Sequence, residues 1–562
     1  MKFLNLLFSA NFKLILFSLI ISNISIFAQS AAKNPIMKAL EEEQIRAFEI
    51  FKKNGNPAPY FLSYQVTDVT STAVTASFGA LRNSDNSHTR NLDVKIRVGD
   101  FKLDNTNGRG GAVISQRLPI ENDIDAIKSS IWLITDSAYK NAVDTFIRIK
   151  TQKDTTVEDE YPADNFSPHP PQISINQSVQ ISVKKEDWEV RLRKLSAIFK
   201  KYPEIYGGSV TFSADAINRY LVTSEGTSLQ HGRALVRISI YASTKAEDGM
   251  DLFRFESFDA LTPEGLPNDV KLEQAVEKVA KDVMALRKAP MIDPYDGPAI
   301  LSGRASGVFF HEIFGHRIEG HRQKANFEGN TFTKRINQSV LPDFISVTDD
   351  PTLAKQGSID LNGNYLFDEE GVKSQRVNLV ENGILRNFLM SRSPIVGFPA
   401  SNGHGRAAPG NSPVSRQGNL IISATKTVPN ARLKQMLLEE VKKQGKTFGL
   451  FFEDISGGFT NTSRFSPQAF QVTPIMVYRI YADGRPDELV RGVDLIGTPL
   501  TSFSKIIAAD DKSEVFNGFC GAESGYIPVS AISPSILIGQ IEVQKRAKNN
   551  SLLPILPPPS AK

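Results

Sequence analysis

The chain contains very little cysteine, since Cys520 is the only one among 562 residues. A single thiol excludes an intrachain disulfide, although disulfides are common in exported proteins. No cysteine lies directly after the apolar stretch near the N-terminus, so a lipid-anchored bacterial form is not expected. We expect Cys520 either to be buried as a small hydrophobic residue or to have a chemical task, because an exposed exported thiol is easily oxidised.

A strong excess of charge is also missing. The chain has 65 Lys and Arg residues against 61 Asp and Glu residues, a formal net charge of +4, and no long basic block. A nucleic-acid partner is therefore not expected. After the first 28 residues no run of ~18 uninterrupted apolar residues occurs, so no stable membrane span is expected once a signal has been removed.

The N-terminus has the pattern of a signal peptide. Lys2 and Lys13 precede an apolar stretch over residues 14–27, and Ala28 is a small residue suited to cleavage. A retained membrane anchor is the alternative, but the stretch is short for a bilayer span. We therefore predict a signal peptide over residues 1–28 and an exported protein, either periplasmic or extracellular.

Helical and strand patterns are mixed along the chain without regular alternation, which favours an α+β fold. Apolar residues alternate with polar ones in one segment: Leu92, Val94, Ile96 and Val98. In another they recur at helical spacing: Leu272, Val276, Val279, Val283 and Leu286. The turn signals Glu381-Asn382-Gly383 and Ala482-Asp483-Gly484 predict hairpins.

A chain of this length exceeds one ordinary core, so two domains are expected. Pro290, Pro294 and Gly297 lie close together and predict a boundary. We predict an N-terminal mixed α/β-sheet domain over residues 35–292, with an insertion around 100–185. A strand-rich C-terminal domain carrying the histidine helix follows over 293–546, and a proline-rich tail over 547–562.

The main chemical signal is a cluster of histidines. His311, His316 and His321 fall within eleven residues, although the chain has only seven histidines. The zinc-protease pattern H-E-x-x-H places two imidazoles one helical turn apart, whereas H-E-x-x-x-H here would place them about 140° apart on an ideal helix. Both can face one metal only if the helix carries a π-bulge or loosens near Gly315. The alternative is an ordinary helix with histidines at the edge of its apolar face.

Glu312 favours a catalytic rather than a structural metal site. A carboxylate beside a metal-ligating histidine can take a proton from a water molecule and deliver it to a leaving amine. A structural zinc site needs no such group and fills all four positions with protein ligands. The alternative for Glu312 is a solvated helix carboxylate.

A catalytic zinc site needs a third protein ligand, and the candidates are Glu319, His321, His404 and Cys520. Chemistry favours Cys520, because thiolate is a strong zinc ligand and ligation explains a solitary exported thiol. Residues 518–522 carry two glycines and are expected to form a tight loop. Glu319 could instead orient a ligating histidine, and His321 could equally be a surface residue.

These residues resemble the zinc motif of the TldD/PmbA family of metallopeptidases. The motif covers residues 307–316 and continues through Ile318-Glu319-Gly320. Further matches follow in order along the chain, at residues 367–371, 380–385, 492–497, 519–521 and 527–529. The resemblance covers most of residues 297–545.

The resemblance implies that zinc is bound by His311, His316 and Cys520 and that Glu312 is the catalytic base. It also implies dimers, either homodimers or heterodimers with a PmbA-like chain, and cleavage of unfolded peptides bound in extended form. All four residue types are present, so the chain resembles the catalytic TldD-type partner. Strand-like binding suits low sequence specificity, because main-chain hydrogen bonds do not depend on side chains.

The sequence thus predicts an exported zinc metallopeptidase. The alternative from another class is a non-catalytic module that binds a peptide or partner and uses zinc only to brace its fold. In that case Glu312→Gln would leave every activity unchanged.

Overall fold

Long antiparallel strands and the helices that cover them account for most of this protein. The computed structural model describes residues 34–108, 112–153, 162–324, 328–329, 331–465, 469–546 and 553–556. The predicted signal peptide and most of the predicted proline-rich tail lie outside the described residues. The export prediction therefore stays a prediction.

The described residues form seven α-helices: α1 (Pro35–Asn54), α2 (Ile124–Lys153), α3 (Lys185–Ala197), α4 (Asp269–Lys288), α5 (Gly303–Ile313), α6 (Asn430–Lys443) and α7 (Pro499–Ser504). The pattern that predicts α4 is confirmed, because its five periodic apolar residues are buried. Asn268 caps this helix by accepting a hydrogen bond from the backbone N–H of Lys271 at 3.0 Å. Among the described helices, none has the length and apolar character needed to cross a bilayer.

The first half of the chain folds around one sheet. Its strands in the described residues are β1 (Pro59–Ser77), β2 (Ala80–Val98), β3 (Ile114–Arg117), β4 (Ile173–Ile175), β5 (Gly207–Thr223), β6 (Ser228–Lys245) and β7 (Asp251–Ala260). They are ordered β3-β2-β1-β5-β6-β4, with β7 also paired to β6. The pairs are antiparallel except β4 with β6. Buried residues of α1 and α2 join those of β1 and β2 in one core, and those of α3 and α4 join those of β5 to β7 in another.

The second half is rich in strands. The remaining strands of the described residues are β8 (Tyr295–Leu301), β9 (Ile345–Asp349), β10 (Lys355–Gln356), β11 (Ile359–Asp360), β12 (Val377–Glu381), β13 (Ile384–Leu385), β14 (Gly405–Arg406), β15 (Val414–Ser415), β16 (Asn419–Ala424), β17 (Thr427–Val428), β18 (Phe448–Thr460), β19 (Phe470–Tyr481), β20 (Glu488–Val490), β21 (Val493–Gly497), β22 (Ile506–Ala522) and β23 (Gly525–Lys545). β10 pairs with β11 and β14 with β15, and the others form one sheet. The fold class predicted from the sequence, α+β with a strand-rich second half that carries the histidine helix, is confirmed.

β23 is the central strand of this second sheet. It pairs with β16, β21, β22 and β8, and the path β8-β18-β19-β21-β23 closes on itself. Helix α5 follows β8 directly and packs against β18, β22 and β23. The side chain of Ser302 caps α5 by accepting a hydrogen bond from the N–H of Ala305 at 3.1 Å. These contacts fix the face of α5 that carries the histidines.

The hairpin predicted at residues 381–383 is confirmed, since β12 and β13 pair directly across it. Asn382 and Gly383 both have positive φ, 47° and 80°, the conformation that a two-residue hairpin turn requires. The strands of the two large sheets come from residues 59–260 and 295–545, respectively. The division into domains at residue 292 nevertheless stays a prediction, because contacts group the chain from Pro35 onward into one unit.

Candidate metal centre

The histidine helix loosens where the sequence spacing requires it. Helix α5 ends at Ile313, and Gly315–Ile318 continues as a 3-10 turn. A Cβ atom on Gly315 would lie 2.0 Å from the side-chain oxygen of the buried Gln417, so any other residue at this position would require the Gln417 side chain to shift. The predicted loosening near Gly315 is therefore confirmed, and it brings His316 back beside His311.

Three potential ligand atoms converge at this point. One from each of His311, His316 and Cys520 lies within 4.8 Å of the other two, and all three residues are buried. The Cys520 Sγ is 3.4 Å from the His316 Nε2, and the two imidazole rings are 5.1 Å apart at 77°. In the part of the chain that the structure describes, this is the one group of three His, Cys, Asp or Glu side chains close enough to hold an ion.

The electrostatics of the group favour a thiolate. Burial by itself would raise the pKa of the Cys520 thiol, but His316 and His311 outweigh burial and hold that pKa well below its usual value. Conversely, burial would lower the pKa of both imidazoles, but Cys520 raises the pKa of each. Cysteine binds metals as the thiolate, so the lowered pKa of Cys520 favours the form in which this residue is a ligand.

The carboxylate of Glu319 contacts the His316 ring on the side opposite Cys520. Its carboxylate oxygens lie 3.2 and 3.3 Å from the His316 Nδ1, the nitrogen that faces away from Cys520. Burial would raise the pKa of Glu319, but His316 and Arg322 lower it to about 2. A charged acceptor at Nδ1 fixes the ring orientation and leaves Nε2 free to bind a metal.

Two arginines connect Glu319 to the rest of the site. Arg322 donates to Glu319 at 2.9 Å and to Glu523 at 2.9 Å. The fully buried Arg416 lies 3.6 Å from Glu319 and donates to the backbone carbonyl of Cys520 at 2.8 Å. The hairpin that carries the cysteine and the turn that carries His316 are thus held by one charged network.

Glu312 lies beside the three residues without belonging to their cluster. Its carboxylate is 3.9 Å from the His316 Nε2, and its side chain is 14% exposed. It faces a cleft of about 530 Å³ that is bounded by α5, by residues 456–463 at the end of β18, and by residues 516–523 of β22 and its turn. A water molecule or a substrate can therefore reach Glu312.

Two other candidate ligands are engaged elsewhere. The His321 Nε2 contacts Glu523, on the turn that connects β22 and β23. The fully buried His404 places Nε2 3.2 Å from Asp349 and Nδ1 3.0 Å from Asn402. Neither belongs to the three-residue cluster. Glu319, the remaining candidate, contacts a histidine rather than the cluster centre.

The predicted loop around Cys520 is wrong, because this residue lies on β22 and pairs with Ile527 of β23. The two glycines of the segment are not turn residues. A Cβ on Gly518 would lie 2.6 Å from the ring of Phe516, and one on Gly521 would lie 2.7 Å from the ring of Tyr526. Each glycine instead makes room for an aromatic ring lying across the strand.

Comparisons with known proteins give a consistent result. The sequence profile of the PmbA/TldA metallopeptidase C-terminal domain matches residues 294–545. A metalloprotease of Methanocaldococcus jannaschii is 25% identical over 346 residues, 60% of this chain and 67% of that protein. A zinc metalloprotease TldD homolog of Saccharolobus solfataricus is 23% identical over 275 residues, 48% of this chain and 57% of that protein. The matches thus span between one half and about two thirds of these relatives.

The fold also matches a solved structure. TldE from Thermococcus kodakarensis aligns with a TM-score of 0.60 at 13% identity, covering 90% of this chain and 100% of that one. At this identity the likeness concerns the fold alone. The match extends over both large sheets, including the part of the chain that the C-terminal profile does not reach.

Proposed function

Because this chain belongs to the TldD/PmbA family, we propose that it is an exported zinc metallopeptidase that cleaves unfolded peptides bound in extended form. His311, His316 and Cys520 are the proposed ligands, and Glu312 is the proposed general base. The observation that carries the proposal is the convergence of these residues. A thiol 204 residues away in sequence lies 3.4 Å from the second histidine of the motif.

The donor set suits zinc. Two imidazole nitrogens and a thiolate are three protein ligands, which leaves a fourth position open as catalytic zinc sites require. The low pKa of Cys520 favours the thiolate, and Glu319 supplies the carboxylate that orients a ligating histidine.

In the proposed peptide hydrolysis, a zinc ion and Glu312 have different roles. When bound, zinc would lower the pKa of a water molecule towards ~7 and polarise the scissile carbonyl. Glu312, which lines the cleft, accepts the proton of the attacking water and delivers it to the leaving amine. Its position 3.9 Å from the His316 Nε2 keeps the carboxylate within reach of the reacting atoms without making it a ligand.

The edge of β18 supports binding of an extended peptide. β18 pairs with β8 only over Leu450–Phe452, whereas its pairing with β19 continues to Thr460. Within the described residues, the edge of β18 that faces away from β19 therefore has no strand partner beyond Phe452. Residues 456–460 of this stretch line the cleft. Such an edge can bind a peptide main chain as an added strand.

Export and assembly complete the proposal. The apolar stretch and Ala28 support secretion to the periplasm or the exterior. A dimer, formed either with itself or with a PmbA-like chain, is what the resemblance to the TldD/PmbA family implies. The relatives from Methanocaldococcus jannaschii and Saccharolobus solfataricus are both named metalloproteases.

The test combines metal analysis with peptide hydrolysis on the purified mature protein. We expect about one zinc per chain, lost from Cys520→Ser and His316→Ala and retained by Glu312→Gln, because the latter residue is not a ligand. His88→Ala, at an exposed histidine of the first sheet, is the matched control and should keep its zinc.

Hydrolysis of an unstructured peptide should fall by about 10²–10⁴-fold in Glu312→Gln, the usual contribution of a general base. A wild-type protein that takes up no zinc, or a Glu312→Gln variant with full activity, would overturn the proposal. The second result would favour a binding module with a structural metal.

A further inference from the structure

The two ends of the cleft differ in chemistry. At one end stand Arg322, Glu328 and Glu523, which are joined by hydrogen bonds. The lining residues nearer the beginning of α5, on the other side of Glu312 and Cys520, include Val308, Phe516 and Val529. The metal centre and Glu312 lie between the two ends, so a bound peptide would place its flanking side chains in two different environments.

The apolar end of the cleft lies on the same face of the second sheet as Cys520, one of the proposed metal ligands. β22 and β23 pair without a bulge from Ser513 to Ala522, so Phe516 and Cys520 point to the same side. Val529 lies directly opposite Gly518, and therefore also on this side. The Phe516 ring lies over Gly518, whose missing Cβ leaves the space that the ring occupies.

Helix α5 supplies the other wall of this end. Gly307 packs on Ala531, where a Cβ would come within 3.2 Å of the Ala531 side chain, so the helix lies close against the sheet. Val308 is one helical turn before His311 and Glu312 and lines the same cleft. Val308 and Val529 are almost fully buried, whereas Phe516 is half-buried and open to the cleft.

From this arrangement we propose that Val308, Phe516 and Val529 form an apolar subsite that receives one side chain next to the scissile bond. The subsite gives the enzyme a preference for a leucine- or phenylalanine-sized residue there. The inference rests on the proposed peptidase function and adds a substrate class to it. Phe516 is the specificity-determining residue, since it is the member with its ring open to the cleft.

The physical reason is desolvation. An apolar side chain that enters the subsite leaves water and contacts apolar walls on both sides, whereas a serine or aspartate would lose its hydration without gaining a partner. A polar residue is therefore rejected. The main chain on either side of the subsite is still held through hydrogen bonds that do not depend on sequence.

The experiment uses full-length mature protein loaded with zinc and pairs of fluorescent peptides that differ at one position, leucine against serine. Each position around the cleavage site is tested in turn. In wild type, kcat/KM should favour leucine by at least 10-fold at one flanking position. Phe516→Ala should reduce that ratio at least threefold, and Phe516→Trp should shift the preference towards alanine by narrowing the subsite.

Phe451→Ala is the matched control, because Phe451 is a half-buried phenylalanine of β18 that packs against Tyr478 and does not line the cleft. Thermal melting and zinc content confirm that each variant is folded and loaded. Equal kcat/KM for leucine and serine at every position would overturn the subsite, as would a preference that Phe516→Ala and Phe516→Trp leave unchanged.

A measurement of peptide binding distinguishes failure of the apolar subsite from failure of the proposed peptidase function. The same peptide pairs are titrated into Glu312→Gln by fluorescence anisotropy, where no cleavage is needed. If wild type cleaves nothing but leucine peptides still bind at least 10-fold more tightly, the peptidase function fails and the apolar subsite stands. Equal binding of both peptides removes the subsite whatever the catalytic result.

Discussion

Gly458 offers a way to move the proposed base without touching a metal ligand. It lies on β18 at the cleft, and a Cβ at this position would be 2.9 Å from Cγ and 3.2 Å from Cδ of Glu312. Carbon atoms pack at about 3.5–4.0 Å, so Gly458→Ala should push the Glu312 side chain by about 0.5–1 Å. Gly458 does not have positive φ, so alanine causes no φ strain there, and its Cβ would lie 3.1 Å from the backbone oxygen of Gln471 on the paired strand β19.

The expected effect on the reaction follows from that displacement. A misplacement of about 1 Å in a catalytic group can cost about 100-fold, so kcat/KM for a cleaved peptide should fall by about 10–100-fold. Zinc content should stay the same. Stability should fall by at most about 1–3 kcal/mol for the overpacked contact, partly offset by the entropy that alanine saves in the unfolded chain.

A double-mutant cycle decides whether the loss acts through Glu312. Gly458→Ala is measured alone and in the Glu312→Gln background, with zinc content determined for both proteins. If the alanine acts by displacing the base, it should cost little once the base has gone. If the fold-loss of kcat/KM in the double variant equalled the product of the two single-variant losses, the reasoning would be refuted. Loss of zinc from Gly458→Ala would refute it as well.

Three further outcomes are expected. Glu319→Gln should weaken zinc binding about 10–100-fold by removing the charged partner of His316, as measured by competition with a chromophoric chelator; unchanged affinity would exclude this role. Gly315→Ala should cost about 1–3 kcal/mol in urea unfolding, because the new Cβ overlaps the buried Gln417; wild-type stability would show that Gln417 can move away. Burial lowers the pKa of His231 to about 3, so its imidazole stays neutral in the folded protein but is protonated below ~6.5 when unfolded. Stability should therefore fall as pH decreases from 6.5, by roughly 1–2 kcal/mol between pH 7 and pH 5 from this residue alone, and His231→Gln should lack that component; equal pH slopes for both proteins would contradict it.

Local patterns predicted the parts of this protein that depend on neighbouring residues. The apolar spacing of α4 and the Asn382-Gly383 turn follow from periodicity and backbone preference, and both occur where the sequence places them. The need for a loosened helix near Gly315 follows from the angle between residues five apart. These inferences required no knowledge of distant contacts.

The segment around Cys520 shows why other inferences failed. Two glycines within four residues are typical of a turn, yet here each lies in a strand under an aromatic ring. A glycine that frees the backbone and a glycine that admits a neighbouring side chain look the same in a sequence. Only the pairing with β23 distinguishes them.

Residues of the site that are far from each other in the sequence could not be recognised from sequence patterns. Gly458 and Glu312 are neighbours only because β18 passes the end of α5, and Phe516 reaches the cleft only because β22 crosses the same helix. Arg416 connects Glu319 to the hairpin of Cys520 through contacts that span about a hundred residues on each side. No spacing in the sequence marks Gly458, Phe516 or Arg416 as part of a site.

The central place of β23 has a consequence for biosynthesis. Ribosomes make this strand last among those described, yet it pairs with four other strands and supports the hairpin that holds Cys520. A nascent or truncated chain that stops before residue 520 carries both motif histidines and Glu312 but lacks the thiol. The proposed set of ligands therefore exists only in a chain that has been synthesised past residue 520, and a metal centre that depends on all three residues cannot form on a shorter chain.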